Sequence, residues 1–141
     1  MRKLTLIIGL LFTQFVFSQD IYTSKEVDQL PTFPDCEVSI NNKCLYTKLS
    51  KELEESIDIK KLNEDLPSGI YSAKVEFIID EHGKINTIKY QGNEYLGKEL
   101  VIALKKIIAK LETQNIEIIP AILDSKTVKM RYSIPIRVQI M

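Results

Sequence analysis

The side chains in this sequence that could perform acid, base or metal chemistry are few and scattered. His82 is the only histidine, and it lies in a charged segment beside Asp80 and Glu81. A metal site or a general base needs further groups that converge on the same point, and none is near His82 in the sequence. The paired carboxylates at positions 54–55 and 64–65 are typical of solvated helix or loop surface. These residues therefore do not indicate a catalytic centre or a metal site.

Motifs for nucleophilic catalysis and for cofactor binding are also missing. No serine has a neighbouring base or a Gly-rich elbow, and the sequence has neither a phosphate loop nor a dinucleotide-binding glycine pattern. We therefore expect that the protein is not an enzyme, and that it uses neither a cofactor nor a small-molecule substrate. The 19 basic residues are balanced by 19 acidic ones, which gives no indication of nucleic acid or an anionic membrane as a partner.

The N-terminus has the features of a secretory signal peptide. Arg2 and Lys3 form a basic start, and residues 4–17 are mostly apolar before the chain turns polar. The apolar run of about 14 residues is shorter than the roughly 20 that span a bilayer, which favours cleavage over an uncleaved anchor. We expect cleavage at positions 17–19. Loss of the two basic residues leaves 17 basic against 19 acidic residues, a formal charge of −2.

The only two cysteines, Cys36 and Cys44, are eight positions apart. This spacing excludes a Cys-x-x-Cys redox pair, and a zinc site lacks its other ligands. A disulfide between them would close a short loop and contribute about 2–3 kcal/mol in the chain-entropy model. Export from the cytosol favours this disulfide over two free thiols.

Hydrophobic periodicity predicts one domain over residues 44–141, after the signal peptide at 1–18 and an irregular segment at 19–43. Apolar residues at every fourth position from Cys44 predict a helix that ends before Pro67, with Asn42 as its N-cap.

A β-hairpin follows this first helix. Alternating apolar residues at 71–79 and again at 85–90 predict two strands. In the reverse turn between them, Gly83 is free to adopt positive φ. A broad apolar face from residue 96 to residue 111 then predicts a second helix. Residues 116–123 contain Pro120 and are expected to be a connector or a short edge strand.

The last predicted element is a long strand with an unpaired edge. Every second residue from Val128 to Ile140 is apolar, which is typical of a strand with one buried face. Pro135 has no N–H, so its backbone must face an unpaired edge or a bulge. Residues of the same parity send their backbone groups to that edge, where a partner strand should dock at positions 129–133. The predicted partner-binding residues are Lys129, Arg131, Ser133, Pro135 and Arg137.

The element order predicts an α+β fold in which a three-stranded antiparallel sheet is backed by two helices. The basic residues along the last strand are compatible with two roles: attracting an acidic extended peptide and deterring aggregation at an edge.

Residues 69–141 resemble the C-terminal domain of TonB, the periplasmic protein that carries energy to outer-membrane receptors. The hairpin matches the family pattern V-x-F-x-I-D-x-x-G-K-V, with Phe77, Asp80 and Gly83 at its fixed positions. Residues 120–128 are similar to P-A-x-x-N-G-K-x-V, with Ser125 in place of the glycine, and residues 132–136 match Y-x-x-P-I. Residues 33–37 resemble the F-P-G-C-E lead-in of Bacteroidetes members.

The resemblance implies a periplasmic binding module that adds a peptide strand from an outer-membrane TonB-dependent receptor and serves energy-coupled transport. A full TonB has a membrane anchor and a long Pro/Lys/Glu linker, whereas this chain looks like a free-standing C-terminal domain. The alternative is a secreted structural or assembly protein that uses the same edge to form a homodimer.

Overall fold

The computed structural model describes residues 20–36 and 43–141 and has an α+β fold with three helices and a mixed five-stranded sheet. The elements in chain order are β1 Ile21–Tyr22, α1 Cys44–Ser56, α2 Ile59–Asp65, β2 Gly69–Ile79, β3 Ile85–Gly92, α3 Glu94–Thr113, β4 Ala121–Leu123 and β5 Lys126–Ile140. The predicted signal peptide and the predicted N-cap Asn42 lie outside the described residues. Lys43 precedes the first residue of α1 and makes no side-chain capping bond.

The centre of the sheet is antiparallel and consists of β3, β2 and β5. The pairing of β2 with β5 is continuous from Gly69 opposite Ile140 to Ile79 opposite Met130. The hairpin of β2 and β3 forms where the alternating pattern predicts it. β5 therefore pairs with β2, on the side of β2 opposite β3, and does not pair with β3.

The sheet has more strands than the predicted three-stranded antiparallel arrangement. β1 pairs with β5 in parallel, and β4 pairs with β5 as an antiparallel hairpin. The strand order is β1-β5-β2-β3, with β4 off this path. The predicted fold is thus correct for the α+β class but wrong in its details, because strands of two and three residues are too short to produce a periodic signal.

The predicted first helix is also divided. α1 ends at Ser56, and the chain is extended at Ile57 before α2 begins. The Asp58 carboxylate caps α2 by accepting a hydrogen bond from the Lys61 N–H at 3.1 Å. There are therefore three helices where the periodicity predicted two.

The core lies between the helices and one face of the sheet. Alternate residues of β2 and β5 point into it, and the helices contribute mostly leucines. Its largest fully buried side chains are Phe77, Leu45, Leu49, Leu53, Leu62, Ile79, Leu96, Leu100, Leu104, Met130, Ile134 and Val75. Burial of each of these large side chains contributes about 1.5–3 kcal/mol.

A bulge in β3 changes which of its residues face the core. The pairing with β2 shifts between Glu76 and Ile78, and Thr87 has a φ of 53°. Ile88 is half-buried against the core after this shift, whereas Thr87 is exposed. Strict alternation from Ile85 would place Thr87 inward and is wrong at this point, because a bulge inserts one extra residue.

The turn between β2 and β3 is organised by the Asp80 carboxylate. Its Oδ1 atom accepts hydrogen bonds from the backbone N–H groups of His82 and Lys84, both at 2.9 Å. Gly83 has a φ of 77°, as its place in the turn requires. A Cβ atom at Gly83 would lie 1.8 Å from the carbonyl oxygen of Ile118, so the turn packs closely against the connector that precedes β4.

The predicted disulfide between Cys36 and Cys44 is present, with the two Cα atoms 6.0 Å apart. It joins the N-terminal segment of residues 20–36 to the first residue of α1. The same segment is held to the connector by reciprocal backbone hydrogen bonds between Thr32 and Ile119, at 3.0 and 2.8 Å. Residues 20–36, predicted to be irregular, are thus fixed at several points.

Candidate functional site

The outer edge of β5 is occupied over only part of its length. β1 lies alongside Lys129 and Met130 on the side opposite β2. No strand within residues 20–36 and 43–141 pairs with that edge from Arg131 to Ile140. The open part of the edge is therefore the last two-thirds of β5.

The direction of the backbone groups along this edge follows from Pro135. It lies opposite Lys74 of β2 and has no N–H to donate. In an antiparallel ladder, alternate pairs exchange hydrogen bonds, so residues of the same parity as Pro135 direct their backbone groups away from β2. Ser133 and Arg137 have this parity, and their N–H and C=O groups face the open edge.

The structure separates the five residues predicted to bind a partner. Arg131, Ser133, Pro135 and Arg137 are exposed on the sheet face that points away from the helices. Lys129 lies beside β1, and its Nζ atom is 3.9 Å from a carboxylate oxygen of Glu81. Lys129 therefore has a strand on its outer side, and Arg131 follows directly after the residues that pair with β1. Sequence periodicity could not indicate this, because β1 has only two residues.

A turn carries the chain away from β5 directly after β1. The Glu26 carboxylate accepts hydrogen bonds from the N–H of Thr23 at 3.0 Å and from its hydroxyl at 2.9 Å. The N–H of Glu26 donates to the carbonyl oxygen of Thr23 at 3.1 Å, which closes the turn. These hydrogen bonds hold the pKa of Glu26 below its usual value. The end of β1 is therefore fixed by a local hydrogen-bond network.

A groove of about 530 Å³ opens where β1 leaves β5, and we call it the edge groove. Its apolar and aromatic lining comes from Leu30, Tyr46, Met130 and Tyr132. Its polar lining includes Thr23, Lys43, Arg131 and Ser133. The volume is within the range of about 300–1,000 Å³ typical of ligand pockets.

The tyrosines of the edge groove connect it to the core. The rings of Tyr46 and Tyr132 are 6.5 Å apart between centroids, and Tyr132 stacks on Phe77 at 5.4 Å. Burial is the main cause of the raised pKa of the Tyr132 phenol, because the charged form would be poorly solvated there. Phe77 and Tyr132 were both in the sequence motifs, but Tyr46 was not, since a half-buried helical tyrosine gives no signal of its own.

Several basic side chains near the open edge have no ion pair with the described residues. On the outer sheet face, Lys74 pairs with Glu76 at 3.2 Å. Within the part of the chain that the structure describes, no ion pair involves Arg131, Arg137 or Lys43. An acidic partner would therefore meet three cations that have no ion pair with a carboxylate of residues 20–36 or 43–141.

His82, the residue considered above as a base or a metal ligand, lies in the turn between β2 and β3. His82 has a largely exposed side chain, and its nearest charged neighbour is Glu81, at 3.5 Å. The described residues hold no group of three His, Cys, Asp or Glu side chains suited to a metal ion. Nor does any described helix have the length and apolar character needed to cross a membrane.

The scan against protein-family models and the search of curated proteins found no match to this chain. The features of the chain that bear on function are therefore the edge of β5, the edge groove and the sequence motifs.

Proposed function

We propose that this protein is a periplasmic TonB-like binding module that adds an extended peptide of an outer-membrane receptor to its sheet. The observation that carries the proposal is the open outer edge of β5 from Arg131 to Ile140. An unpaired row of N–H and C=O groups on a regular strand is a template for another extended chain. The role in energy-coupled transport follows from the resemblance of the hairpin and the closing strand to the TonB C-terminal domain.

Two further features support this function over an enzymatic one. The fixed positions of the hairpin motif are the residues that build the turn: Asp80 accepts the turn's N–H groups, and Gly83 has the positive φ. The cations near the edge favour an acidic segment of the partner through complementary charge. A disulfide is also common in proteins outside the cytosol, in agreement with export.

The direct test removes one hydrogen-bond donor from the open edge. Ser133→Pro deletes an N–H that faces outward, whereas Ser133→Ala keeps it and is the matched control. We chose Ser133 because Arg131 follows directly on the residues that pair with β1. The probes are synthetic peptides from the periplasm-facing N-terminal segments of outer-membrane receptors of the same organism. Isothermal titration should show that Ser133→Pro loses binding and that Ser133→Ala retains it.

Thermal melts separate a loss of binding from a loss of folding. Ser133→Pro should melt close to the wild type, because its lost N–H does not bond to β2. Ile134→Ala is the opposite case, because Ile134 is fully buried and its truncation should cost about 2–5 kcal/mol of folding free energy. Equal peptide affinity in Ser133→Pro and in Ser133→Ala would refute strand addition at this edge.

The alternative function is a structural or assembly protein that forms a homodimer through the same edge. Light scattering coupled to size exclusion distinguishes the two functions. A monomer that binds receptor peptides supports the binding module, whereas a stable dimer without peptide binding supports the alternative. N-terminal sequencing of the protein from the cell envelope tests the proposed export, and an intact Met1 in the membrane fraction would contradict signal cleavage.

A further inference from the structure

The edge groove continues the line of β1 along β5. β1 pairs with residues as far as Met130, and the groove begins at that point and extends beside Tyr132 and Ser133. A strand added to the open edge would therefore pass the mouth of the groove. Its first residues would lie next to the turn that ends β1 at Thr23.

The groove is on the side of the sheet that carries the helices. Met130 and Tyr132 point inward from β5, and Tyr46 belongs to α1. Side chains alternate along a strand, so every second residue of an added strand would point to this inner side. One such residue would meet Leu30, Tyr46 and Tyr132, which together form an apolar and aromatic wall.

The positive charge of Lys43 favours an acidic side chain near that residue in the added strand. Lys43 is exposed at the start of α1, lines the groove and has no ion pair with the described residues. A residue two positions along the added strand would point to the same inner side, and Lys43 is among the residues that line the groove. A carboxylate is the side chain that complements this cation.

On the basis of the function proposed above, we propose that the edge groove is a specificity pocket for the added strand. It takes one large apolar side chain against Tyr46 and Tyr132, and Lys43 recognises an acidic side chain two residues away. The preferred partner is therefore an extended peptide with an apolar residue and an acidic residue in alternate positions. This requirement goes beyond strand addition, which uses only the backbone.

The probes are fluorescein-labelled nine-residue peptides built on alternating Val and Thr. One inward position carries Leu or Ala, and the next inward position carries Glu or Gln. Fluorescence anisotropy should show that wild-type protein binds the Leu peptide about tenfold more tightly than the Ala peptide, since burial of a leucine in place of an alanine has this effect. It should also prefer Glu over Gln by a few-fold, and this preference should decrease with salt.

Two pairs of variants assign these preferences to the groove. Tyr46→Ala should reduce the preference for Leu to less than threefold, whereas Tyr46→Phe keeps the ring and should retain it. Lys43→Glu should abolish the preference for Glu, whereas Lys51→Glu makes the same charge change at an exposed position of α1 that does not line the groove. Circular dichroism identifies any variant that does not fold. If Tyr46→Ala does not fold, the comparison of Lys43→Glu with Lys51→Glu decides whether the pocket exists, because both lysines are exposed and their substitution should not disturb folding.

The possible failures can be told apart. If the peptides bind and Ser133→Pro removes binding, but Leu and Ala peptides have equal affinity, the specificity pocket is refuted and strand addition stands. If none of these peptides binds but the receptor peptides do, the specificity pocket is refuted and strand addition stands. If neither set of peptides binds, both proposals are refuted. A concentration-dependent dimer that is lost in Tyr46→Ala would show that a second copy of the chain occupies the groove, and it would also overturn the proposal.

Discussion

The substitution of Gly83 by alanine tests how closely the hairpin turn packs on the connector before β4. A Cβ atom at this position would lie 1.8 Å from the carbonyl oxygen of Ile118 and 2.9 Å from its carbonyl carbon. The shortest ordinary contacts between carbon and oxygen are about 3.3 Å, so one of the two backbones would have to move by about 1.5 Å. The connector is held by the hydrogen bonds between Ile119 and Thr32, which resist this movement.

The expected loss has two sources. Alanine at a φ of 77° costs about 1–2 kcal/mol, because its Cβ crowds the backbone in the left-handed region. Displacement of the connector weakens at least one backbone hydrogen bond, which adds about 1 kcal/mol. We therefore expect Gly83→Ala to lower the free energy of unfolding by about 2–3 kcal/mol, measured by urea denaturation.

Two further variants identify the cause. His82→Ala changes an exposed neighbour in the same turn and should stay within about 0.5 kcal/mol of the wild type. Asparagine tolerates the left-handed region but has a Cβ atom, so Gly83→Asn should remain destabilised if the contact with Ile118 dominates. Wild-type stability of Gly83→Ala would refute the close packing. If Gly83→Asn has wild-type stability and Gly83→Ala does not, the loss of stability in Gly83→Ala comes from backbone conformation and not from the contact with Ile118.

Three other predictions concern the ion pair at α3, the buried phenol and the disulfide. Lys61→Met leaves the buried Glu99 carboxylate without its partner, 2.8 Å away in the wild type, and should lower the midpoint of urea denaturation. Adding Glu99→Leu should recover most of this loss. The pKa of the Tyr132 phenol is raised in the folded protein. Its contribution to stability is therefore complete below the unfolded pKa of about 10 and is lost as the pH rises above that value. Tyr132→Phe should flatten the decline in Tm above about pH 10, and an unchanged decline would contradict this. Mass spectrometry of non-reduced exported protein should show one intramolecular disulfide, and replacing Cys36 and Cys44 by serine should cost about 2–3 kcal/mol, whereas two freely alkylated thiols would disprove the bridge.

The elements with strong periodicity could be predicted from the sequence. β2, β5 and α3 have long alternating or helical patterns, and their side chains are buried as those patterns require. Pro135 has no backbone N–H, and its position therefore indicates which backbone groups of β5 face away from β2. The predictions of β2, β5 and α3 are confirmed because each depends on the local sequence alone.

The remaining features depend on contacts between distant residues. β1 is recognisable only from its pairing with Lys129 and Met130, more than 100 positions further along the chain. The edge groove brings together residues 23–30, the start of α1 and β5, and no local pattern predicts that meeting. β3 both pairs with β2 and packs against α3, and no local pattern predicts its bulge at Thr87.

The position of β5 in the sheet has a consequence for the order of folding. It follows every other described element along the chain, yet it lies between β1 and β2 in space. The sheet therefore cannot close until β5 has been synthesised, and until then one edge of β2 has unpaired backbone N–H and C=O groups. The hairpin of β2 and β3 and the pair of Cys36 and Cys44 involve only short loops, so they can form earlier. A newly made chain would thus pass through a partly assembled state whose missing strand supplies much of the core, and a holding chaperone would protect it at that stage.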